Sequence, residues 1–525
     1  MIGRPIRSST RRSNLESCRD VLYFKLMTEV WSRFISDRPS LVLLFVLAAV
    51  LAALVAIFDV SALREARWSD AVRLSIDPSH DSLLPSDDPG RAYYDRVREL
   101  FGNDETLLLT VHSPAGVFEP DFLAALLDVT DRIESDEAVN SVLSLANASN
   151  IRSTDGGLDT TGFYSSRPTS REAANQIAAA LRANPIYRGS IVSDDEEAAA
   201  ILVYLEPISE REIIRDEIDW RIRTIAEEGF AGTAQVSLTG NPHIKAETSR
   251  VLVRDLLLIV PLALMMATLV AFFSFRTLRG TLVPSTTILI ALVWTMAIAA
   301  ILGTKINVVT IAVPALILVI GLAYAMHVVS SYYETIEEAA SAREAVFEAL
   351  RQVALPTTLT GITTGVAFAT LMLSPVEAVR FFGMHCAIGV ACTMLAALTF
   401  TPALLAVLRP MPSPTRLGNG HGSRLAEALR ALGAFDARNR RSILFGGFVV
   451  AVISVLLMPL IEVDTDLARN FREASPIGRS IRLAREHLNV TDQVYVVIES
   501  PVPEAFLEPE ALATIERLQA WLDEQ

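Results

Sequence analysis

Apolar and polar positions divide this chain into long runs of different character. Seven apolar runs are long enough to cross a bilayer, because a transmembrane helix needs about 20 mostly apolar residues. The predicted spans are residues 41–58, 256–275, 282–302, 307–331, 355–373, 383–408 and 442–461. The first span precedes a long polar stretch, and five closely spaced spans follow that stretch.

The polar stretch alternates between short β-rich runs and amphipathic helical patterns. The predicted strands are residues 106–112, 139–145, 198–205 and 234–238, and the predicted helices are residues 120–133, 171–183 and 210–228. Residues 147–167 are rich in Ser, Thr, Gly and Asp, which is typical of an exposed loop. Strands alternating with helices predict an α/β or α+β domain built from βαβ-like units. The predicted fold class is therefore a multi-span α-helical membrane protein with an α/β extracytoplasmic domain.

The same pattern gives a domain organisation. The predicted segments are a basic cytoplasmic arm (1–40), the first span (41–58), an extracytoplasmic domain (59–254), a five-helix membrane block (255–408), a cytoplasmic linker (409–441), the seventh span (442–461) and the start of a second extracytoplasmic domain (462–525). In the arm, Met27, Val30 and Phe34 fall at helical spacing, which fits either a helix on the membrane surface or a solvated arm.

The segments that follow the first and the seventh span resemble one another. Residues 74–114 align with residues 461–501 without gaps, so that Pro89 meets Pro476, Ser113 meets Ser500, and the strand at 106–111 meets residues 493–498. Internal repeats are a recurring device of transporters, with substrate paths at the repeat interface. We expect that the chain holds one complete unit and the start of a second, as the N-terminal part of a protein of roughly 800 residues.

Charge gives the spans an orientation and excludes several function classes. The formal net charge is −14, yet arginines concentrate in the arm, in the loops near 276–279 and 343–351, and in the linker. The positive-inside rule then predicts a cytoplasmic N-terminus and a multi-pass protein of the plasma membrane. No basic nucleic-acid footprint occurs, so we expect no nucleic-acid partner.

Motifs for enzymatic or metal chemistry are missing from the sequence. The three cysteines lack zinc-ligand or disulfide-scaffold spacing, and no phosphate-binding loop or nucleophile elbow occurs. Seven acids form two groups in turn-like, polar surroundings, where a solvated surface is the expected role: Asp81, Asp87, Asp88, Asp194, Asp195, Glu196 and Glu197. We therefore expect a protein that is not an enzyme and that has no cofactor or metal site.

Short motifs along the chain support a family resemblance. They are Asp81-Ser-Leu-Leu-Pro85, Phe101-Gly-Asn-Asp104, Gly240-Asn-Pro242, Gly321-Leu-Ala-Tyr324-Ala-Met-His327 and Thr360-x-x-Thr363-Thr364. With the order of spans and domains, they resemble the resistance–nodulation–division (RND) superfamily, in particular its hydrophobe/amphiphile efflux branch related to the mycobacterial membrane-protein-large (MMPL) transporters. The five-span block also resembles the sterol-sensing domain of Patched-like proteins.

The resemblance implies a function and its partners. It implies a proton-driven exporter of hydrophobic or amphiphilic molecules, either lipids or drugs, in the bacterial inner membrane, with porter-like outer domains that bind the cargo. Protons, membrane lipids, a second copy of the chain and a periplasmic accessory protein are the partners that it suggests. The alternative function is a non-transporting, Patched-like lipid sensor or assembly scaffold.

Proton coupling requires a titratable group inside the membrane bundle. Many relatives have an acid in the fourth span immediately before the tyrosine, and here that position is Ala323. His327 is then the only ionisable residue well inside this span with a pKa near neutrality, three residues from Tyr324. Tyr324, Thr360, Thr363 and Thr364 are the further main candidates for a hydrogen-bonded relay. Ser331 and His385 are weaker candidates. The alternatives are packed histidines and threonines bonded to their own helix.

Overall fold

The structure is a computed structural model of the chain. It describes residues 27–59, 73–77, 81–85, 88–101, 106–154, 157–184, 186–208, 210–409, 422–461, 475–488, 496–500, 502 and 504–523. The chain divides into two compact units: a membrane block, Met1–Asp88 with Lys245–Thr465, and an α/β unit, Pro89–Ile244 with Asp466–Gln525.

Helices dominate the described residues. In chain order they are α1 Pro39–Ile57, α2 Pro89–Phe101, α3 Pro120–Glu134, α4 Arg171–Arg182, α5 Glu210–Arg215, α6 Ile218–Gly229, α7 Asn241–Phe275, α8 Leu278–Ile301, α9 Val313–Thr335, α10 Ala342–Thr370, α11 Glu377–Val407, α12 Gly422–Leu457, α13 Pro476–His487 and α14 Pro509–Asp523. The strands are β1 Ser75–Ile76, β2 Thr106–His112, β3 Val139–Leu143, β4 Arg152–Thr154, β5 Gly157–Asp159, β6 Ala198–Leu205, β7 Gln235–Thr239 and β8 Lys305–Ile306.

The α/β unit is built on a four-stranded sheet of order β3-β6-β2-β7, in which every neighbouring pair is antiparallel. Strands β2 and β3 both run antiparallel to β6, so they are parallel to each other with β6 between them, and α3 connects them. The same relation holds for β6 and β7 around β2, with α6 in the connection. This arrangement is a doubled split βαβ unit. The expected βαβ units thus occur in split form, without adjacent parallel strands.

The sheet is covered on both faces, which explains why residues 107–111 of β2 are all buried. Leu107 and Leu109 belong to the main core, where the Phe122 and Phe230 rings from the helical layer lie 5.2 Å apart. On the opposite face, Leu108 packs with Ala200 and Leu202 of β6. These three side chains contact Ala484 of α13 and Leu488, the residue that follows this helix. Burial on both faces removes the alternation that marks a half-exposed strand.

Two predictions for this unit were wrong in detail. The helix predicted at 210–228 is divided into α5 and α6, because the chain turns at Glu217, whose φ is +47°. The loop predicted at 147–167 contains the β4–β5 hairpin. In the segment 461–501, which aligns with residues 74–114, a helix begins at Pro476, the position aligned with Pro89 at the start of α2. Residues 496–498 have no regular secondary structure, and the rest of the strand predicted at 493–498 lies outside the described residues.

Seven helices among the described residues are long and apolar enough to span a membrane. They are Pro39–Ile57, Asn241–Phe275, Leu278–Ile301, Thr310–Thr335, Ala342–Leu373, Glu377–Val407 and Arg430–Leu460. Helix α11 packs against α1, α8, α9 and α10, so the sixth span is the centre of the block. A Cβ atom at Gly361 would lie 2.5 Å from Met394 Sδ, which shows how closely α10 approaches α11. The seventh span is fully exposed, and its helix is kinked at Asn439.

The predicted arm is described only from residue 27 onward. Residues 27–37 are helical, with Ile35 buried in the block and the Arg33 guanidinium 5.6 Å from the Phe347 ring centroid. Met27, Val30 and Phe34 are exposed on this helix. This segment is thus a helix packed against the block on one side.

Candidate functional site

The candidate site lies on α9, and the residues before this helix fix where it begins. The Asn307 side chain accepts hydrogen bonds from the Val309 and Thr310 amides at 3.0 and 2.9 Å, and the Asn307 amide donates to Thr310 Oγ1 at 2.8 Å. These bonds satisfy amides that a helix start leaves without partners. Pro314 falls in the first turn of α9, where proline is tolerated, so it does not kink the span.

Helix α9 has two distinct faces. Tyr324, Val328 and Ser331 are buried, whereas a stripe at intervals of three and four residues is exposed: Val319, Ala323, His327 and Ser330. We name these four residues the α9 stripe. His327 makes no hydrogen bond to any residue that the structure describes. His327 thus lies on the surface of the block rather than in its interior.

Tyr324 points to the other side, into the packed interior. Its ring contacts Val390 and Ala397 of α11. The hydroxyl group faces Thr364 on α10 but, among the described residues, no atom meets hydrogen-bond geometry with it. A buried hydroxyl without a partner is costly, and the facing Thr364 is the polar side chain of α10 that can satisfy it.

The predicted threonines divide into two groups. The Thr360 and Thr363 hydroxyls are exposed and donate to carbonyls of their own helix, Pro356 O at 2.9 Å and Leu359 O at 3.0 Å. Back-bonding, the alternative role considered for them, is therefore their arrangement in the structure. Thr364 is half-buried beside Tyr324.

Helices α9 and α10 run antiparallel, and the contacts between them show which of the candidate residues lie at the same depth. Ser331 donates to Gln352 Oε1 at 3.2 Å, and Tyr324 faces Thr364. His327 lies between Tyr324 and Ser331 along α9, so it is at about the level of Thr360 on α10. The two helices thus place four of the predicted residues at similar depth, with Tyr324 and Thr364 on the packed side and His327 and Thr360 exposed.

His385 belongs to a separate hydrogen-bond group. Its Nε2 atom lies 2.7 Å from Thr304 Oγ1, and its ring stacks on Phe381 with centroids 6.4 Å apart. Because the Thr304 hydroxyl donates to Ala299 O at 3.0 Å, His385 must donate to Thr304 from Nε2. His385 is buried and bonded to the connection between the third and fourth spans, as expected for a packed histidine.

Other polar contacts between spans were not predicted from the sequence. Hydroxyl pairs join Thr268 to Ser285 at 3.0 Å, Thr277 to Tyr333 at 3.0 Å and Thr287 to Thr401 at 2.8 Å. Apolar periodicity identifies a span but carries no information about which hydroxyl meets which. These residues are structural ties within the block.

The acids of the α/β unit also acquire partners. Arg182 pairs with Glu196 and Arg188 with Asp194, as on an ordinary solvated surface. The pKa of Asp195 is lowered, chiefly by the hydrogen bond that Ser193 donates to its carboxylate. In the other group of acids, Asp88 belongs to the membrane block and is exposed, and Asp87 lies outside the described residues. Two histidines that the sequence analysis did not consider, His112 and His487, lie beside this turn.

Comparisons with known proteins place these observations in a family. A family model described as the MMPL family matches residues 122–435. A membrane protein of Methanocaldococcus jannaschii is 21% identical over 345 residues, which cover 64% of this chain and 86% of the relative. A membrane protein of Streptomyces coelicolor is 28% identical over 232 residues, or 43% of this chain and 27% of the relative. The resemblance inferred from the motifs is confirmed: the chain is a multi-pass membrane protein and belongs to the MMPL family.

Proposed function

We propose that this protein is an RND-type transporter that exports hydrophobic or amphiphilic molecules and is driven by the proton motive force. The observation that carries the proposal is the α9 stripe of an MMPL-family membrane block. It exposes one titratable side chain, His327, at membrane depth, while the Tyr324 hydroxyl on the packed side of the same helix is buried and has no partner of hydrogen-bond geometry among the described residues. Ionisable residues at such depth mark proton or substrate paths because their burial in lipid is costly.

The relay that we propose is short. A proton binds His327 on the α9 stripe and changes the charge of that helix face. Tyr324 and Thr364 accept or donate hydrogen bonds on the inner side of α9, and Thr360 does so at the level of His327. The charge change alters the cost of exposing the stripe to lipid, so protonation shifts the preferred position of α9 against its neighbours. Ser331 and His385 are held by Gln352 and Thr304 and take no direct part.

The remaining expectations extend this proposal. We infer that the cargo is a lipid or a lipid-like drug and that the membrane is the bacterial plasma membrane. The N-terminus is assigned to the cytoplasm because of the arginine-rich loops. A second copy of the chain or a periplasmic accessory protein would complete the export path.

A second function has one observation in its favour. Ala323 occupies the position where many relatives have an acid, so the fourth span lacks the usual carboxylate. A lipid sensor or scaffold of the Patched-like type binds lipid but needs no proton path. Binding without transport would identify it.

Transport in proteoliposomes tests the proposal. The protein is reconstituted with a fluorescent phospholipid and an internal pH dye, and a pH gradient is imposed. We expect lipid movement that depends on the gradient, with matching proton flux. His327→Ala should reduce both rates at least about tenfold, since removal of the only titratable group of the α9 stripe removes its charge change.

The matched control is Ser330→Ala, which alters the next residue of the α9 stripe and keeps its titratable group. It should transport at the unmodified rate. Gradient-independent lipid movement would refute proton coupling. Lipid binding without any movement would favour the sensor, and full activity of His327→Ala would exclude His327 from the relay.

A further inference from the structure

The first and the seventh span are each preceded by a further helical segment. Residues 27–37 are helical, and one residue separates them from Pro39, where α1 begins. Residues 422–438 form the first part of α12 and end at the kink that precedes the apolar run 442–461 of the seventh span. We name these segments the first and the second juxtamembrane helix. The transport proposal uses neither of them.

At each junction the backbone leaves the helical conformation at one residue. Arg38 has φ −126° and ψ 50°, and Asn439 has φ −106° and ψ 19°. Pro39 explains the first case, because a proline disfavours the helical conformation of the residue before it. Neither juxtamembrane helix is therefore a straight continuation of its span, so each can lie along the bilayer surface while the span crosses the bilayer.

The two juxtamembrane helices belong to the same side of the membrane block. Each precedes the N-terminal end of its span, and the first six of the seven candidate spans separate the two positions along the chain. Six crossings return a chain to the side from which it started. Both helices therefore meet the boundary between hydrocarbon and headgroups in the same leaflet.

The first juxtamembrane helix is packed on one side and exposes an apolar stripe on the other. Ser32 and Ser36 are buried, and their hydroxyls donate to Thr28 O at 2.7 Å and Arg33 O at 3.1 Å. Four apolar residues at intervals of three and four form the stripe, each between 41% and 64% exposed: Met27, Val30, Trp31 and Phe34. Such a stripe, with a tryptophan and next to the end of a span, is typical of a helix at the membrane interface.

The second juxtamembrane helix combines an apolar face with positive charge. Leu432 and Phe435, one helical turn apart, are 64% and 57% exposed. Four exposed arginines accompany them, one on the helix face opposite Leu432 and three around the kink: Arg430, Arg438, Arg440 and Arg441. Against the acids Glu427 and Asp436, they leave this segment with a net positive charge. Apolar residues on one face and arginines beside them are the pattern of helices that bind a membrane surface.

The charge before the first juxtamembrane helix has the same sign. Residues 1–26 contain six basic and two acidic side chains. An anionic leaflet attracts basic segments next to a span by about 1 kcal/mol for each Lys or Arg near its surface. An anionic lipid surface thus matches both the apolar faces and the charge, whereas water matches only the charge.

We propose that the two juxtamembrane helices bind one leaflet through its anionic phospholipids. Their apolar faces lie at the level of the upper acyl chains, and the arginines lie among the phosphates. The first helix contributes mainly the apolar contact, and the second contributes mainly the charge. Because a guanidinium group binds phosphate oxygens in a bidentate manner, anionic lipids collect around the second helix.

Quenching of tryptophan fluorescence by brominated lipids tests the location of the helices. The full chain is placed in nanodiscs whose phosphatidylcholine carries bromine near the headgroup end of its acyl chains. Trp31 is the natural probe of the first helix, and its share of the fluorescence is the difference between the unmodified protein and Trp31→Phe. Phe435→Trp supplies a probe in the second helix. We expect both probes to be quenched, and more strongly than by bromine at the chain ends.

Quenching by aqueous iodide in place of the brominated lipid would overturn the proposal, because the helices would then lie in solvent. Protection from both quenchers would also overturn it, since protein, such as a second copy of the chain, would then cover the apolar faces.

A second measurement tests the preference for anionic lipid. Phosphatidylcholine nanodiscs receive a minor share of brominated phosphatidylglycerol or, as the reference, of brominated phosphatidylcholine. We expect the anionic lipid to quench the Phe435→Trp probe at least about twofold more than the reference lipid does. The excess should disappear at high salt and in Arg438→Gln/Arg440→Gln/Arg441→Gln, because both changes weaken the attraction between arginine and phosphate.

The matched control removes three exposed arginines from the α/β unit: Arg132→Gln/Arg182→Gln/Arg215→Gln. It should retain the preference for anionic lipid. A preference that survives in the first triple variant would overturn the role of its arginines, and an equal loss in the control would show that net charge alone attracts the lipid. Circular dichroism of each variant establishes that the fold is intact.

Discussion

The two units of the molecule satisfy their buried polar groups in different ways. In the α/β unit, buried side chains meet partners from other elements: Asp219 and His243 at 2.7 Å, and Thr130 and Ser144 at 2.8 Å. In the membrane block, most hydroxyls donate to a carbonyl of their own helix, as Thr295 does to Ala291 O at 2.8 Å. The first unit depends on pairings between elements, whereas each helix of the second is largely satisfied on its own.

This difference suggests how each unit responds to change. A buried group that loses a remote partner is left unpaired in a low-dielectric interior, which is expensive. Helices whose backbone and hydroxyl groups are satisfied internally are held together mainly by shape, such as the fit of Ile317 against Gly389. We infer that the membrane block tolerates small shifts between helices, as the proposed transport requires, and that the α/β unit behaves as a rigid body. Three comparisons between pairs of substitutions test this contrast.

The largest effect is expected at the buried Asp219–His243 pair. Asp219 lies in the first turn of α6 and is fully buried, and His243 is 4% exposed. Asp219→Ala leaves the histidine without its acceptor, so we expect the free energy of unfolding to fall by about 3–5 kcal/mol. Chemical denaturation followed by tryptophan fluorescence measures the loss, because Trp220 lies edge-on to the His243 ring at 6.2 Å.

The exposed ion pair of Arg132 and Glu228 provides the control for this prediction. Its atoms are 2.9 Å apart, but both side chains are about half exposed. Arg132→Ala should cost less than about 1 kcal/mol, as surface ion pairs do. Equal losses at the two sites would contradict the view that remote buried pairings hold the α/β unit together.

A somewhat smaller effect is expected at Gly240, where β7 turns into α7. Its φ is +107°, and a Cβ atom there would collide with Thr106 O and approach Leu107 Cα at 3.1 Å. Gly240→Ala therefore combines backbone strain with a clash against β2, and we expect the free energy of unfolding to fall by about 3 kcal/mol. Gly232 is the matched control: its φ is +81°, but its Cβ position is open. Gly232→Ala should cost only the strain, about 1 kcal/mol, and similar melting temperatures for both variants would refute the clash.

Sequence patterns predicted most elements of the α/β unit because each has its own signature. The run at 106–112 is β2, and the pattern at 120–133 is α3 within one residue. The sheet order was not predictable in this way, since it depends on pairing between residues remote along the chain. The break at Glu217 was also missed, because the apolar positions of α5 and α6 continue one helical period across it.

The candidate site shows a different limit. Periodicity located the fourth span and identified His327 as its titratable residue, but a span that is apolar all round does not reveal which face is packed. The burial of Tyr324 and the exposure of His327 depend on α11, whose position the sequence does not give. His112 and His487 were missed for a similar reason, because only the docking of α13 brings them to Asp195 and Glu197.

The smallest effect is expected inside the membrane block, where two hydroxyl deletions can be compared. Thr401 has its buried hydroxyl 2.8 Å from Thr287 Oγ1, so Thr287→Val removes a contact between spans and should cost about 0.6 kcal/mol, a typical value for such bonds in membranes. Tyr324→Phe removes a buried hydroxyl that has no partner among the described residues, so stability should be unchanged or slightly higher.

Unfolding in detergent measures the stability of both variants, and transport in proteoliposomes separates the roles of the two hydroxyls. If Tyr324 belongs to the relay, Tyr324→Phe slows proton-coupled lipid movement without loss of stability, whereas Thr287→Val leaves movement intact. A marked loss of stability in Tyr324→Phe would show that the hydroxyl is bonded after all, and would make the two units more alike than their hydrogen bonds indicate.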